Sequence, residues 1–140
     1  MKIKYINPGI IFLLGGFAYG GIEIIYRGYT HPTMMLAGGL SLISLAYLSN
    51  LEHIPFIIRC FFGGGIITSI EFLLGIIFNL LLGLNIWDYS GVPFNILGQI
   101  CLSFSFAWIF LSGIGMVITK KILRLLPNGQ QPKVKPEHIN

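Results

Sequence analysis

The chain has 140 residues, 54% of them hydrophobic and 10% charged, with a formal net charge of +4. Soluble domains carry about 25% charged residues, and no Asp, Glu, Lys or Arg occurs between Asp88 and Lys120, so a water-soluble fold is excluded. The apolar runs are continuous rather than alternating, which excludes a membrane-spanning β-barrel and leaves an all-α membrane protein.

Lys2 and Lys4 precede a first helix expected over residues 8–26, with Pro8 in the tolerated first turn. The basic pair looks like a secretory n-region, but no small-x-small site follows. Glu23 and Arg27 stand where cleavage would fall, so the segment is kept as a helix. A tight connection from Arg27 to Pro32 leads into a second helix, residues 32–49. After Asn50–Pro55 a third helix is expected over 55–84, long enough to tilt or to bend at Gly63-Gly64-Gly65. The next connection holds Trp87, Asp88 and Tyr89, residue types common at a membrane–water boundary. A fourth helix is expected over 93–117, then a basic amphipathic turn, 119–126, lying along the headgroups. Residues 127–140 read as a solvated, flexible cytoplasmic tail.

Basic residues set the expected orientation. Lys2, Lys4, Arg59, Lys120, Lys121, Arg124, Lys133 and Lys135 fall on one side, and only Arg27 occupies an opposite-side loop. The positive-inside rule then places both termini in the cytoplasm, which requires an even number of spans. These charges flank membrane segments, so they indicate topology and contact with a lipid bilayer rather than nucleic-acid binding.

One segment recurs. Gly15-Gly16 is followed after six residues by Glu23, and Gly63-Gly64 after six residues by Glu71. Ionisable groups are costly in hydrocarbon, so an acid placed twice in this context is a candidate intramembrane site. Counted from Pro8 and Pro55 at 1.5 Å per residue, both acids lie roughly 22–24 Å along their helices. The spacing predicts two hairpins in a parallel pseudo-repeat, with Glu23 and Glu71 at one depth. Small residues on the same faces favour close helix packing. Two roles stay open for the acids. They either line a polar cleft that binds a cation, proton or amine-bearing substrate, or are held locally, Glu23 by Arg27 and Glu71 by Thr68, Asn95 or Gln99. Asn95 and Gln99, four apart on the expected fourth helix, join Trp87, Asp88 and Tyr89 as a candidate extracellular mouth, or else cap that helix.

The remaining reactive residues point away from catalysis. Cys60 and Cys101 lie in apolar segments without metal-ligand spacing, and His31 and His53 lie in loops. No Ser-His-Asp or Ser-Lys arrangement is evident. Neither an enzyme, nor a cofactor, nor a metal is expected. Arg59 is expected to snorkel to the headgroups.

Glu71-Phe72, Gly75, Trp87-Asp88-Tyr89-Ser90, Pro93-Phe94-Asn95-Ile96-Leu97-Gly98-Gln99-Ile100-Cys101-Leu102 and Trp108 together resemble the ABC-transporter type IV (CmpB-like) family of small bacterial integral membrane proteins. The first half is similar through Glu23, Arg27-Gly28 and Pro32. The resemblance implies a multi-pass protein of the bacterial inner membrane, of the transporter or permease class, and its short members turn up in prophage-like settings. The chain has no G-x4-G-K-[ST] loop, so any ATPase would be a separate protein. The expected function is that of a polytopic transport-class protein, as a homo-oligomer or within a larger membrane complex. The alternatives are a holin-like, membrane-perturbing protein and an accessory subunit.

Overall fold

The computed structural model of the protein describes residues 7–125; Lys2, Lys4, Leu126 and the expected tail over 127–140 lie outside them. Among the described residues, four helices are long and apolar enough to cross a membrane. The first, α1, is Pro8–Arg27. The Asn7 side chain accepts a hydrogen bond from Gly9 N at 2.9 Å, and Pro8 takes the position where a missing N–H costs nothing. The helix stops at Gly28, whose φ of 82° turns the chain and lets its N–H donate to Ile24 O at 2.8 Å. Helix α2, Pro32–Ser49, starts the same way, with His31 Nδ1 accepting from Thr33 N at 3.2 Å.

Helix α3, Phe56–Leu74, continues as a π-helical stretch, Gly75–Leu81. The ladder is α-helical through Gly63-Gly64-Gly65, and the departure comes a dozen residues later. There Leu82 N donates to Ile77 O, five residues back. Residues 93–101, expected to open the fourth helix, instead form a small antiparallel hairpin of Asn95–Ile96 (β1) and Ile100–Cys101 (β2). Phe94, Leu97 and Gly98 have φ of 55°, 53° and 68°, which no helix accommodates. Helix α4 therefore runs Leu102–Leu125, and the basic segment expected as a separate surface turn is its unbroken last turns, with Thr119 and Leu123 buried.

Short links make α1, α2 and α3 successive antiparallel neighbours, and the longer 82–101 connection brings α4 back beside α3. Glycines set their separation. A Cβ on Gly16 would lie 3.0 Å from Met35 O of α2, and one on Gly63 would lie 2.7 Å from Ser112 Cβ of α4. Each glycine pair of the recurring segment thus seats the helix that follows it in the chain. Helix α2 is the most enclosed, packing on α1, α3 and α4, while α1 and α4 scarcely meet. The Arg59 guanidinium donates to Ser49 O at 3.2 Å and so caps the carboxyl end of α2.

Polarity is inverted relative to a soluble protein. Phe17, Ile25, Ile57 and Phe110 face outward, whereas Glu71, Asn79, Gln99, Ser112 and Thr119 are buried. Hydrocarbon outside and satisfied polar groups inside suit a lipid solvent. Ser112 Oγ, for example, lies 2.8 Å from Cys60 O across the α3–α4 seam.

Candidate functional site

Glu23 projects from the last turn of α1 and is engaged locally. Its Oε1 accepts from Arg27 Nη2 at 2.7 Å, and its Oε2 accepts from Thr30 Oγ1 at 3.2 Å. The pair is mostly buried, with side chains 11% and 21% exposed, so the interaction is not a screened surface contact. Arg27 also donates through Nη1 to Ile86 O at 3.1 Å and lies 4.9 Å from the centre of the Tyr29 ring. The cation is thus held by an acid, a carbonyl and a ring, and it ties α1 to the 82–94 link.

Glu71 has the same spacing from its glycine pair but different company. Position 27 is arginine; the equivalent step from Glu71 reaches Gly75. Only 3% exposed, Glu71 accepts from Tyr89 OH at 3.2 Å and from Trp108 Nε1 at 2.8 Å. Both donors are neutral, and among the described residues no cation forms an ion pair with it. The three partners expected from the sequence do not serve. Thr68 Oγ1, a turn earlier, is buried without a hydrogen-bond partner. Asn95 Nδ2 donates to Val92 O and its Oδ1 accepts from Gly98 N, which closes its own turn. Gln99 Oε1 accepts from Asn79 Nδ2 at 2.8 Å.

Asn79 and Gln99 instead anchor the link over the end of α3. Asn79 Nδ2 donates to Trp87 O, Asn79 Oδ1 accepts from Ile86 N at 2.7 Å, and Trp87 Nε1 donates to Gln99 O at 2.9 Å. The π-helical widening lets Asn79 face this network, and Gly75 leaves room for the Gln99 side chain, whose Oε1 would lie 2.6 Å from an added Cβ. Asn95 and Gln99 therefore share no helix face, which corrects that expectation. Of the expected mouth, Trp87 is 5% exposed and belongs to the core. Asp88 accepts from Ser90 N at 2.8 Å and Ser90 Oγ at 2.9 Å. The backbone amide, then the hydroxyl, hold the Asp88 carboxyl below its ordinary range.

Because α1 and α4 scarcely meet, a cavity of about 410 Å³ opens between them, closed at one end by the 82–94 link. Glu23, Arg27, Asp88 and Tyr89 all line it. Its walls include two stacked ring pairs, Tyr19–Trp108 with centroids 5.6 Å apart and Tyr89–Phe104 at 4.9 Å. Glu71 does not line the cavity; it stands behind Tyr89 and Trp108 and is bonded to both. Sequence reasoning placed neither Tyr19 nor Phe104 here and knew Trp108 only through the family pattern. The available signal was the Trp108 N–H, which needs a partner inside an apolar span. A second hollow, about 580 Å³ and almost wholly apolar, lies on the outer side of α3 and α4 around Cys60, Phe61 and Phe110. No cluster of three His, Cys, Asp or Glu residues is found among the described residues, and Cys60 and Cys101 are free thiols.

Four apolar helices around a buried polar seam define a small polytopic membrane protein. The chain belongs to the family described as "Putative ABC-transporter type IV", whose model matches residues 5–135. No curated protein and no solved structure matches it.

Proposed function

We propose that the protein is a non-enzymatic, transport-class component of the bacterial inner membrane, with the cleft between α1 and α4 as its site for a cation or an amine-bearing solute. The carrying observation is Glu71, a buried carboxyl with two neutral donors and no counter-cation, set directly behind the wall of an open cavity. Glu23 contributes less to this reading, because Arg27 already offsets its charge. Both termini are cytoplasmic in this reading. Arg59, Lys120, Lys121 and Arg124 gather at one end of the bundle, while Arg27 at the other is paired. The matching seats of the two glycine pairs support a parallel repeat of hairpins.

Oligomerisation, or a larger complex with a separate ATPase, completes the reading. The 50–55 connection and the basic end of α4, joined by the Lys120–Glu52 ion pair, form its docking surface. The lateral opening of the cleft also favours an accessory-subunit reading, in which a larger partner closes it. Labelled methylammonium uptake into proteoliposomes tests the site. Wild-type protein is expected to support saturable uptake, and Glu71→Gln is expected to lose most of it while remaining assembled. Equal uptake by the two would remove the site. Abrupt, timed lysis on expression would favour a holin-like role instead.

A further inference from the structure

The cleft walls carry more information than the acids. Six rings from three elements line the cavity: Tyr19 and Tyr26 from α1, Trp87 and Tyr89 from the link, Phe104 and Trp108 from α4. Ile22, Val92, Ala107 and Leu111 fill the spaces between them, so the lining is largely hydrocarbon. Aromatic faces carry negative quadrupole potential, and a desolvated cation is attracted to each face it contacts. Two of these rings are biased further. Tyr89 and Trp108 each direct their polar hydrogen at Glu71, at 3.2 and 2.8 Å. When Glu71 is ionised, donating to its carboxylate pushes electron density onto each ring, and the charge is felt in the cleft through its walls.

The alternatives fit less well. A bare metal ion requires several oxygen ligands, but the carboxyls that line the cleft are already engaged, Glu23 by Arg27 and Thr30 and Asp88 by Ser90. An anion requires a free cation, and Arg27 is engaged with Glu23, Ile86 O and the Tyr29 ring. A volume of about 410 Å³ suits a compact organic molecule.

We propose that the cleft between α1 and α4 is an aromatic box for a lipophilic organic cation, a quaternary ammonium or phosphonium bearing hydrocarbon substituents. Glu71 is a positioning residue that orients and polarises Tyr89 and Trp108 from behind. This rests on the cleft's being the site proposed above and names its ligand class.

The chain's two tryptophans, Trp87 and Trp108, both line the cleft, so tryptophan emission excited to the red of tyrosine reports on it. Purified protein in lipid nanodiscs would be titrated with tetraphenylphosphonium and with tetraphenylborate, ions of nearly one shape and opposite charge. A saturable change with the cation, at least tenfold tighter than with the anion, is expected. Phe104→Leu removes one ring at a modest loss of volume and is expected to weaken cation binding by about tenfold, the scale of one cation–π contact. Glu71→Gln is expected to reduce the cation-to-anion preference, whereas mere loosening of the fold would weaken both probes together. No saturable response, or equal affinity for the two ions, overturns the proposal. If Glu71-dependent methylammonium uptake persists while tetraphenylphosphonium fails to bind, the ligand class falls and the site stands. If uptake is also indifferent to Glu71, both fall.

Discussion

Gly64 and Gly65 are adjacent on α3 and should respond oppositely to alanine. A Cβ on Gly65 would meet nothing within 4 Å, whereas one on Gly64 would lie 2.8 Å from Ile109 N and from Ile109 Cα. That is roughly 0.7 Å inside the optimum for carbon contacts, against backbone atoms that cannot rotate away. Replacing glycine by alanine in a helix gains about 1 kcal/mol of propensity at either position, and this gain cancels between the two variants. Overpacking of a close seam costs about 1–3 kcal/mol. Gly64→Ala is therefore expected to be less stable than Gly65→Ala by about 1–3 kcal/mol, with Gly65→Ala at or above wild type. Reversible unfolding in mixed micelles with increasing denaturing detergent measures the difference. Equal stability of the two variants would refute the claim that Gly64 sets the α3–α4 distance.

Three other outcomes follow from the site. In a double-mutant cycle, Trp108→Phe and Glu71→Met are expected to show a coupling of about 0.6–1.7 kcal/mol, the range for interhelical hydrogen bonds in lipid; zero coupling in unfolding measurements would deny the bond. Arg27→Met strands the Glu23 carboxylate and is expected to cost about 3 kcal/mol, as when one partner of a buried pair is removed. Adding Glu23→Gln should recover most of that loss, and failure to recover it would show that Arg27 acts chiefly through Ile86 O and Tyr29. Asp88 has a depressed carboxyl, so its contribution is present above the ordinary aspartate range near pH 4 and is lost as pH falls through the lower folded value. Corrected for the intrinsic pH dependence of exchange, amide protection in the 88–90 turn should fall on acidification below that range, and Asp88→Asn should abolish that fall.

The helical bundle was legible because hydrocarbon length and charge distribution constrain it strongly. Helices α1 and α2 start at Pro8 and Pro32 as expected, and α1 runs one residue past its expected end to Arg27. The segment after Pro93 was misread because its apolar residues read as helix by hydropathy alone. What overrides hydropathy there is backbone conformation: Phe94 and Leu97 adopt positive φ, and Asn95 closes a turn through Gly98 N and Val92 O. The Asn79–Gln99 contact that holds the link joins residues twenty apart, a distance no local pattern encodes. The partner of Glu23 was legible because it lies one helical turn away. Glu71's partners were not, since Tyr89 and Trp108 lie 18 and 37 residues further on.

The two glutamates show why equal spacing does not imply equal chemistry. Four residues after Glu23 stands arginine, and the charge is settled within one helix. Four residues after Glu71 stands glycine, whose missing side chain admits Gln99 and thereby fixes the link against α3. The same glycine that denies Glu71 a cation on its own helix thus helps to hold in place the link that carries Tyr89. Replacing Gly75 by arginine should test this directly. If Glu71 merely lacks a counter-ion, the added guanidinium would pair with it and leave the link intact. The packing argues otherwise, because a Cβ there already lies 2.9 Å from Gln99 Cβ. The expected result is loss of the Asn79–Gln99 contact and faster amide exchange across 85–101. Retention of slow exchange there would show that the link stands without Gly75, and that Glu71's isolation from charge is incidental.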